Sequence, residues 1–204
     1  MDDELQSLLK EYRSYFAKCE YYLKQFEHLE DVFDIQPLNQ IRYGGRDLIE
    51  GLLNSKEDKE YNKIKIIEAI RHVRRAMYDM LEIIIAFYRN RLKKFEADYE
   101  GIDVSSVIPN FYADAIEIKT EGSNIIDRNS SESYDNKEIN QMDNFVKKLE
   151  TFDDILKKSR GTINSIIEKK LRARRFPRIL AIIAILISLS TFSLLLIKWT
   201  FYNQ

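Results

Sequence analysis

The sequence predicts an all-α chain: a cytosolic bundle of long antiparallel helices followed by a C-terminal single-pass transmembrane helix. Three observations predict it. Turn formers are scarce, with six Gly and three Pro in 204 residues, while Leu, Ile, Lys and Glu abound. Apolar residues recur at alternating spacings of three and four over most of the chain. Residues 179–197 run for nineteen positions without a charge, Asn, Gln, Gly or Pro. As a helix such a run spans about 28 Å, close to the hydrocarbon thickness of a bilayer.

Taken in order, Asp2 and Asp3 are N-cap candidates for a first helix. Its apolar positions are Leu5, Leu8, Tyr12, Tyr15, Cys19, Tyr22, Phe26, Leu29 and Phe33, and a second row at Leu9, Phe16 and Leu23 widens the stripe. Pro37 starts the next helix from a first-turn position, with Leu38 and Ile41 as early contacts. Gly44-Gly45 interrupts it before Arg46, Leu48, Ile49, Leu52 and Leu53 resume the pattern. The pair lacks the further glycines and the strand–turn–helix setting of a phosphate loop, so it reads as a kink or a close approach between helices.

Ser55 and Asp58 form a capping-box-like start for a long helix to about Tyr99. Its apolar face is Ile66, Ile70, Val73, Met77, Leu81, Ile84, Tyr88 and Phe95, and residues 80–88 are apolar nearly all round. Residues 101–109 connect it to a short helix capped by Asn110, with Phe111, Ala115 and Ile118 on one side. Residues 113–120 also alternate in part, leaving a strand as an alternative. Residues 121–137 are polar and serine-rich, as in a loop or linker. A last helix starts near Glu138, carries Ile139, Met142, Phe145, Val146, Leu149, Phe152, Leu156, Ile163 and Ile166, and meets no strong breaker before Pro177. The expected domains are a bundle core over residues 1–120, the linker over 121–137, and a helix over 138–176 that packs on the bundle and leads to the membrane. A transmembrane anchor over 177–198 and a short non-cytosolic tail over 199–204 complete the plan.

Charge distribution supports this plan. Lys169, Lys170, Arg172, Arg174, Arg175 and Arg178 form a membrane-surface basic cluster before the apolar run, and only Lys198 follows it. The positive-inside rule then places the body in the cytosol, in a bacterial inner membrane on this reading. Trp199 and Tyr202 suit an interfacial aromatic belt. Residues 169–204 hold seven basic side chains and no acidic one, which leaves 25 basic against 33 acidic in residues 1–168, a net charge of −8. An acidic body is poorly suited to neutralising phosphates, so no nucleic-acid partner is expected. Membrane lipid is the expected partner, its anionic head groups beside the basic cluster. The acidic start, Met1-Asp2-Asp3-Glu4, is not expected to act as a signal peptide. Cys19 is the one cysteine, which fits a reducing compartment, and its place on the apolar stripe predicts a buried, inert thiol.

Catalytic chemistry is thin. Glu68, His72, Arg75 and Asp79 share one helical face, with Arg42 or Arg46 as conceivable additions, and could serve acid–base work or anion binding. The stripe lies opposite the apolar face, which predicts a solvated or partner-facing surface. There Glu68–His72 and Arg75–Asp79 would form i,i+4 pairs worth ~0.2–0.5 kcal/mol each. Two His and one Cys make no zinc site, and no Walker loop, dinucleotide fingerprint, nucleophile elbow or di-iron motif occurs. No cofactor, no metal and no enzymatic activity are expected. Arg and His on a long helix resemble the HEPN helical ribonucleases in general shape. Their Arg-then-His motif is absent, because Lys65, Ile66 and Ile67 stand that far before His72, and Tyr21, Tyr22 and Leu23 before His28.

The layout resembles the small membrane effectors of bacterial anti-phage and abortive-infection systems, which implies a self-associating effector or sensor that perturbs the membrane. A heptad helix leading into a C-terminal anchor also resembles SNARE-like tail-anchored tethers, although the heptads fade near Ser159 and no central Arg or Gln layer appears. A membrane-tethered helical nuclease is the third alternative. Within the anchor, Ala181, Ala184, Ser188 and Thr191 form a small-residue stripe for helix packing. One crossing makes no pore, so permeabilisation requires a homo-oligomer, and the cytosolic bundle offers a surface for a protein partner.

Overall fold

The computed structural model describes residues 3–27, 35–53, 59–127 and 136–202, with some side chains beyond residue 173 left out. Among these residues the chain is all α: α1 (Asp3–Glu27), α2 (Ile35–Leu53), α3 (Lys59–Asp98), α4 (Phe111–Asp127) and α5 (Asn136–Tyr202). It divides into two compact units, Met1–Leu156 and Lys157–Gln204.

In the first unit α3 is the central helix. Its wide apolar arc buries Ile66, Ile70, Val73, Met77, Leu81, Ile84 and Phe95, together with Ala69, Ala76, Met80, Ile85 and Leu92. Covering so broad an arc requires neighbours on several sides, and α1, α2 and α4 all pack on it. Ring contacts tie α3 to α4 and α5, with Phe95 5.5 Å from Phe111 and Phe111 stacked 6.2 Å from Phe152. Ion pairs Lys119–Glu96 at 2.6 Å and Lys148–Glu117 at 2.6 Å set the antiparallel order α3–α4–α5. α1 runs parallel to α5: Tyr15 donates to Asn136, Lys18 to Asn140 and Tyr22 to Asp143, a ladder that advances seven residues on each helix. Burial pushes the Tyr22 hydroxyl well above its ordinary range, and the hydrogen bond to Asp143 adds to this.

Several boundaries differ from the sequence reading. α1 is described to Glu27, and Leu29, Phe33 and His28 lie outside the described residues. α2 begins at Ile35, which places Pro37 inside the first turn, where its missing N–H costs nothing. It passes through Gly44-Gly45 without interruption. The proposed capping residues Ser55 and Asp58 lie outside the described residues. Residues 113–120 are helix, not strand, and the linker expected over 121–137 is helical up to Asp127; residues 128–135 lie outside the described ones. Packing extends α4: Ile118 and Gly122 are buried, and a Cβ on Gly122 would stand 2.9 Å from Arg89 Cδ. The turn before α4 has Gly101 at φ 73° and Asn110 at φ 62°, and the Asn110 carbonyl accepts the Asp114 N–H at 3.0 Å.

The helix expected over 138–176 and the anchor expected over 177–198 belong to one helix, α5, with Pro177 inside it. Among the described residues no helix is long and apolar enough to cross a membrane. The expected anchor falls partly outside them, since the side chains at 178, 179, 192 and 194–198 are not described.

Candidate functional site

Among the described residues a dense arrangement of polar side chains lies along the seam between α2 and α3. Glycine creates that seam. A Cβ on Gly44 would stand 3.0 Å from the Ala69 carbonyl oxygen and 3.1 Å from Val73 Cγ1, and one on Gly51 3.0 Å from the Asn62 carbonyl and 3.1 Å from Ile66 Cγ1. The two glycines are seven residues apart, so they share one face and draw the antiparallel helices together at two points. Gly45 has nothing within 4 Å, so Gly44 alone makes the close approach at this pair.

Asp47 stands between the two glycines on that face and is 2% exposed. Its carboxylate faces His72 Nε2 at 3.3 Å, Arg46 Nη2 at 3.4 Å and Lys65 Nζ at 3.9 Å. Buried carboxylates need such partners, because an unpaired charge in the interior is strongly disfavoured. His72 Nδ1 lies 2.7 Å from Gln40 Oε1, and its ring contacts Tyr43 at 5.7 Å. Arg42 and Arg46 lie over the Tyr43 ring at 5.4 and 5.5 Å. Further along, Lys65 bonds Glu68 at 2.9 Å and approaches Glu50 at 3.8 Å. The Glu68 hydrogen bond, and then Glu50 and Asp47, hold the Lys65 ammonium above its ordinary range. The Tyr61 hydroxyl, 2.6 Å from Glu50, holds that carboxyl below its ordinary range, assisted by Lys65 and Arg46.

This corrects the solvated-stripe reading of Glu68, His72, Arg75 and Asp79. Of the four only Arg75 is exposed. α2 covers the flank of α3 that holds His72, so Glu68 pairs with Lys65 and His72 with Asp47 instead of with each other. Arg75 and Asp79 do approach, at 3.9 Å. Asp47, Lys65 and Gln40 escaped the sequence reading. The signal was present in the Gly44–Asp47–Gly51 spacing, which puts an acid in the middle of a glycine face.

Chemically the cluster is a crosslink. Both His72 nitrogens face side-chain oxygens, which leaves neither directed at an open site where a general base would meet substrate. Among the described residues no group of His, Cys, Asp and Glu could hold a metal ion. A groove of about 680 Å³ between α4 and α5 includes Glu117, Glu121 and Lys148 in its lining, and Lys148 donates to both carboxylates.

The other sequence-predicted sites lie on α5. Lys169, Lys170 and Arg172 are exposed, with Arg172 3.4 Å from Glu168; the side chains of Arg174, Arg175 and Arg178 lie outside the described ones. Ala181, Ala184, Ser188 and Thr191 are exposed along the helix. Ser188 donates to the Ala184 carbonyl at 2.9 Å and Thr191 to the Ile187 carbonyl at 3.1 Å, so both hydroxyls are satisfied within their own helix. No family model, curated protein or solved structure matches this chain.

Proposed function

We propose that this chain is a non-enzymatic, single-pass membrane-anchored helical protein, a self-associating bacterial effector or sensor that acts by perturbing the membrane holding it. The observation that carries the reading is the nineteen-residue uncharged run at 179–197 behind six cations in residues 169–178. The described side chains alone make up no span; the complete run has the length and composition of one. Within it Leu180, Ile182, Ile183, Ile185, Leu186, Ile187 and Leu189 are 46–61% exposed over about 220° of the helix surface, and the apolar Ala181 and Ala184 lie in the remaining arc. Burying one such side chain is worth ~1.5–3 kcal/mol, so an all-round apolar helix calls for an apolar surrounding. The hydroxyls of Ser188, Ser190, Thr191 and Ser193 bond carbonyls of their own helix, which lets them enter hydrocarbon without an unmet partner.

Self-association follows from the mechanism, because one crossing cannot form a pore. The contact assigned to it within the membrane is the Ala181, Ala184, Ser188, Thr191 stripe. A strictly monomeric species by light scattering in mild detergent removes this part of the proposal. Expression with a voltage-sensitive dye tests the whole: the full chain is expected to depolarise cells or arrest growth, and deletion of residues 179–204 to abolish the effect. A truncated body that stays fully toxic overturns the membrane mechanism. A tail-anchored tether shares the layout, and a full chain that is harmless yet recovers a partner selects it. A membrane-tethered nuclease requires His72→Ala or Arg75→Ala to lose activity while fold and assembly persist.

A further inference from the structure

Whichever side of α5 turns toward a neighbouring anchor, positive charge turns with it. Lys169, Lys170, Arg172, Arg174, Arg175 and Arg178 occupy one continuous helix, and at 100° per residue their positions circle it with no gap wider than about 100°. Lys169, Lys170 and Arg172 are exposed. One acid stands beside them on the helix, Glu168, which pairs with Arg172 at 3.4 Å. The next acid back along α5 is Asp154, about 22 Å from Lys169 at 1.5 Å per residue. That is more than two Debye lengths of about 8 Å, so on α5 nothing beyond Glu168 offsets the cluster. The run at 179–197 adds no sign of its own, since it holds no charge and its hydroxyls bond carbonyls of the same helix. Lys198, just past it, is again a cation.

We propose that the opening made by gathered anchors passes small inorganic anions in preference to cations. The inference rests on the reading of this chain as a self-associating membrane perturber and names what crosses. Rings of charge at a pore mouth set the sign of the ion that enters, and Lys and Arg admit anions. Because the cationic positions circle α5, every rotation of the helix in a ring of copies sets one of them within about 50° of the direction of the pore axis. Those directed outward meet lipid head groups, and those directed inward have no acid of the anchor to pair with. A unit charge about 7 Å from the axis favours a monovalent anion over a monovalent cation about sevenfold in water before screening, and each chain of the ring adds its own.

The experiment reconstitutes the full chain into planar bilayers of phosphatidylcholine, whose head groups carry no net charge, under a gradient of potassium chloride. The reversal potential then reads the permeability ratio. The expected result is reversal near the chloride equilibrium potential, with chloride favoured about sevenfold or more at low salt and less as salt rises. The double variant Lys169→Gln/Lys170→Gln is expected to conduct with a ratio closer to one. Arg172→Gln, which also leaves Glu168 unpaired, should shift the ratio in the same direction. Reversal at zero or near the potassium potential overturns the inference, while the conductance itself leaves the membrane mechanism standing. An unchanged ratio in both variants overturns the assignment of selectivity to this cluster. Protein that floats with vesicles of the same lipid yet gives no conductance overturns the inference and the membrane mechanism together.

Discussion

Adjacent glycines in α2 are expected to respond to alanine in opposite directions. Gly45→Ala adds a methyl where nothing lies within 4 Å, so it should gain the helix preference of Ala over Gly, ~0.5–1 kcal/mol. Gly44→Ala gains the same preference but sets its Cβ 3.0 Å from the Ala69 carbonyl oxygen, 3.1 Å from Val73 Cγ1 and 3.3 Å from His72 Cβ. That oxygen belongs to the backbone of α3 and cannot retreat without the helix. The seam must widen by a few tenths of an ångström, and overpacking of this kind costs ~1–3 kcal/mol. The net change at Gly44 is then between about zero and a loss of about 2.5 kcal/mol, which puts Gly44→Ala ~1–3 kcal/mol below Gly45→Ala. For a chain of this size each kcal/mol moves Tm by ~2–4 °C. Thermal unfolding of the full chain in mild detergent, followed by the helical circular dichroism signal, measures the difference. Gly51→Ala should behave like Gly44→Ala, since its Cβ would meet the Asn62 carbonyl at 3.0 Å and Ile66 Cγ1 at 3.1 Å. A Gly44→Ala protein as stable as Gly45→Ala refutes the close-approach account of this seam.

Removal of the imidazole in His72→Ala takes one partner from the buried Asp47 carboxylate and should cost ~1–3 kcal/mol in denaturant unfolding, with Asp47→Asn recovering part of the loss in the double variant; strict additivity of the two would show that the pair is uncoupled. Glu150 is held above its ordinary range by burial first and then by Asp154 and Asp143. The native state therefore keeps this proton longer than the unfolded chain, and stability falls as pH rises from the ordinary value of 4.5 through the raised native one. Glu150→Gln should accordingly stabilise at neutral pH and become indistinguishable from wild type below that window, and a constant difference at all pH values would contradict the assignment. The Cys19 thiol is pushed up to about 12 by burial and donates to the Val73 carbonyl at 3.3 Å. It should resist a thiol reagent at pH 8 in the folded protein and react promptly once denatured; prompt reaction in the folded state would disprove the burial.

Helical identity was legible in the sequence because it depends on local spacing. Period-three-and-four apolar residues and scarce turn formers need no knowledge of neighbours, and α3 buries every residue of its predicted face except the half-buried Tyr88. Burial of Cys19 followed from its place on such a stripe. Local reading stopped at the ends of α4, where polar composition between residues 121 and 127 suggested a linker but packing of Ile118 and Gly122 keeps the chain helical. It stopped also at the sides of α3. A polar stripe opposite an apolar one points to water only if no other helix comes to cover it.

What the sequence by itself determined is the helical class, the α3 core and the charge plan of an acidic body, a basic cluster and an uncharged run, all properties of residues and their spacing. Only the tertiary structure decided the partner of each face. α2 meets α3 through Gly44, Asp47 and Gly51, not through Leu52 and Leu53, because two backbones can approach within 3.0 Å of a would-be Cβ only where side chains are missing. That single choice buries Asp47 against His72, turns an expected solvated stripe into a crosslink, and leaves Ile49, Leu52 and Leu53 facing outward. Helical periodicity records that a helix has an apolar side; it does not record which neighbour, if any, that side will meet.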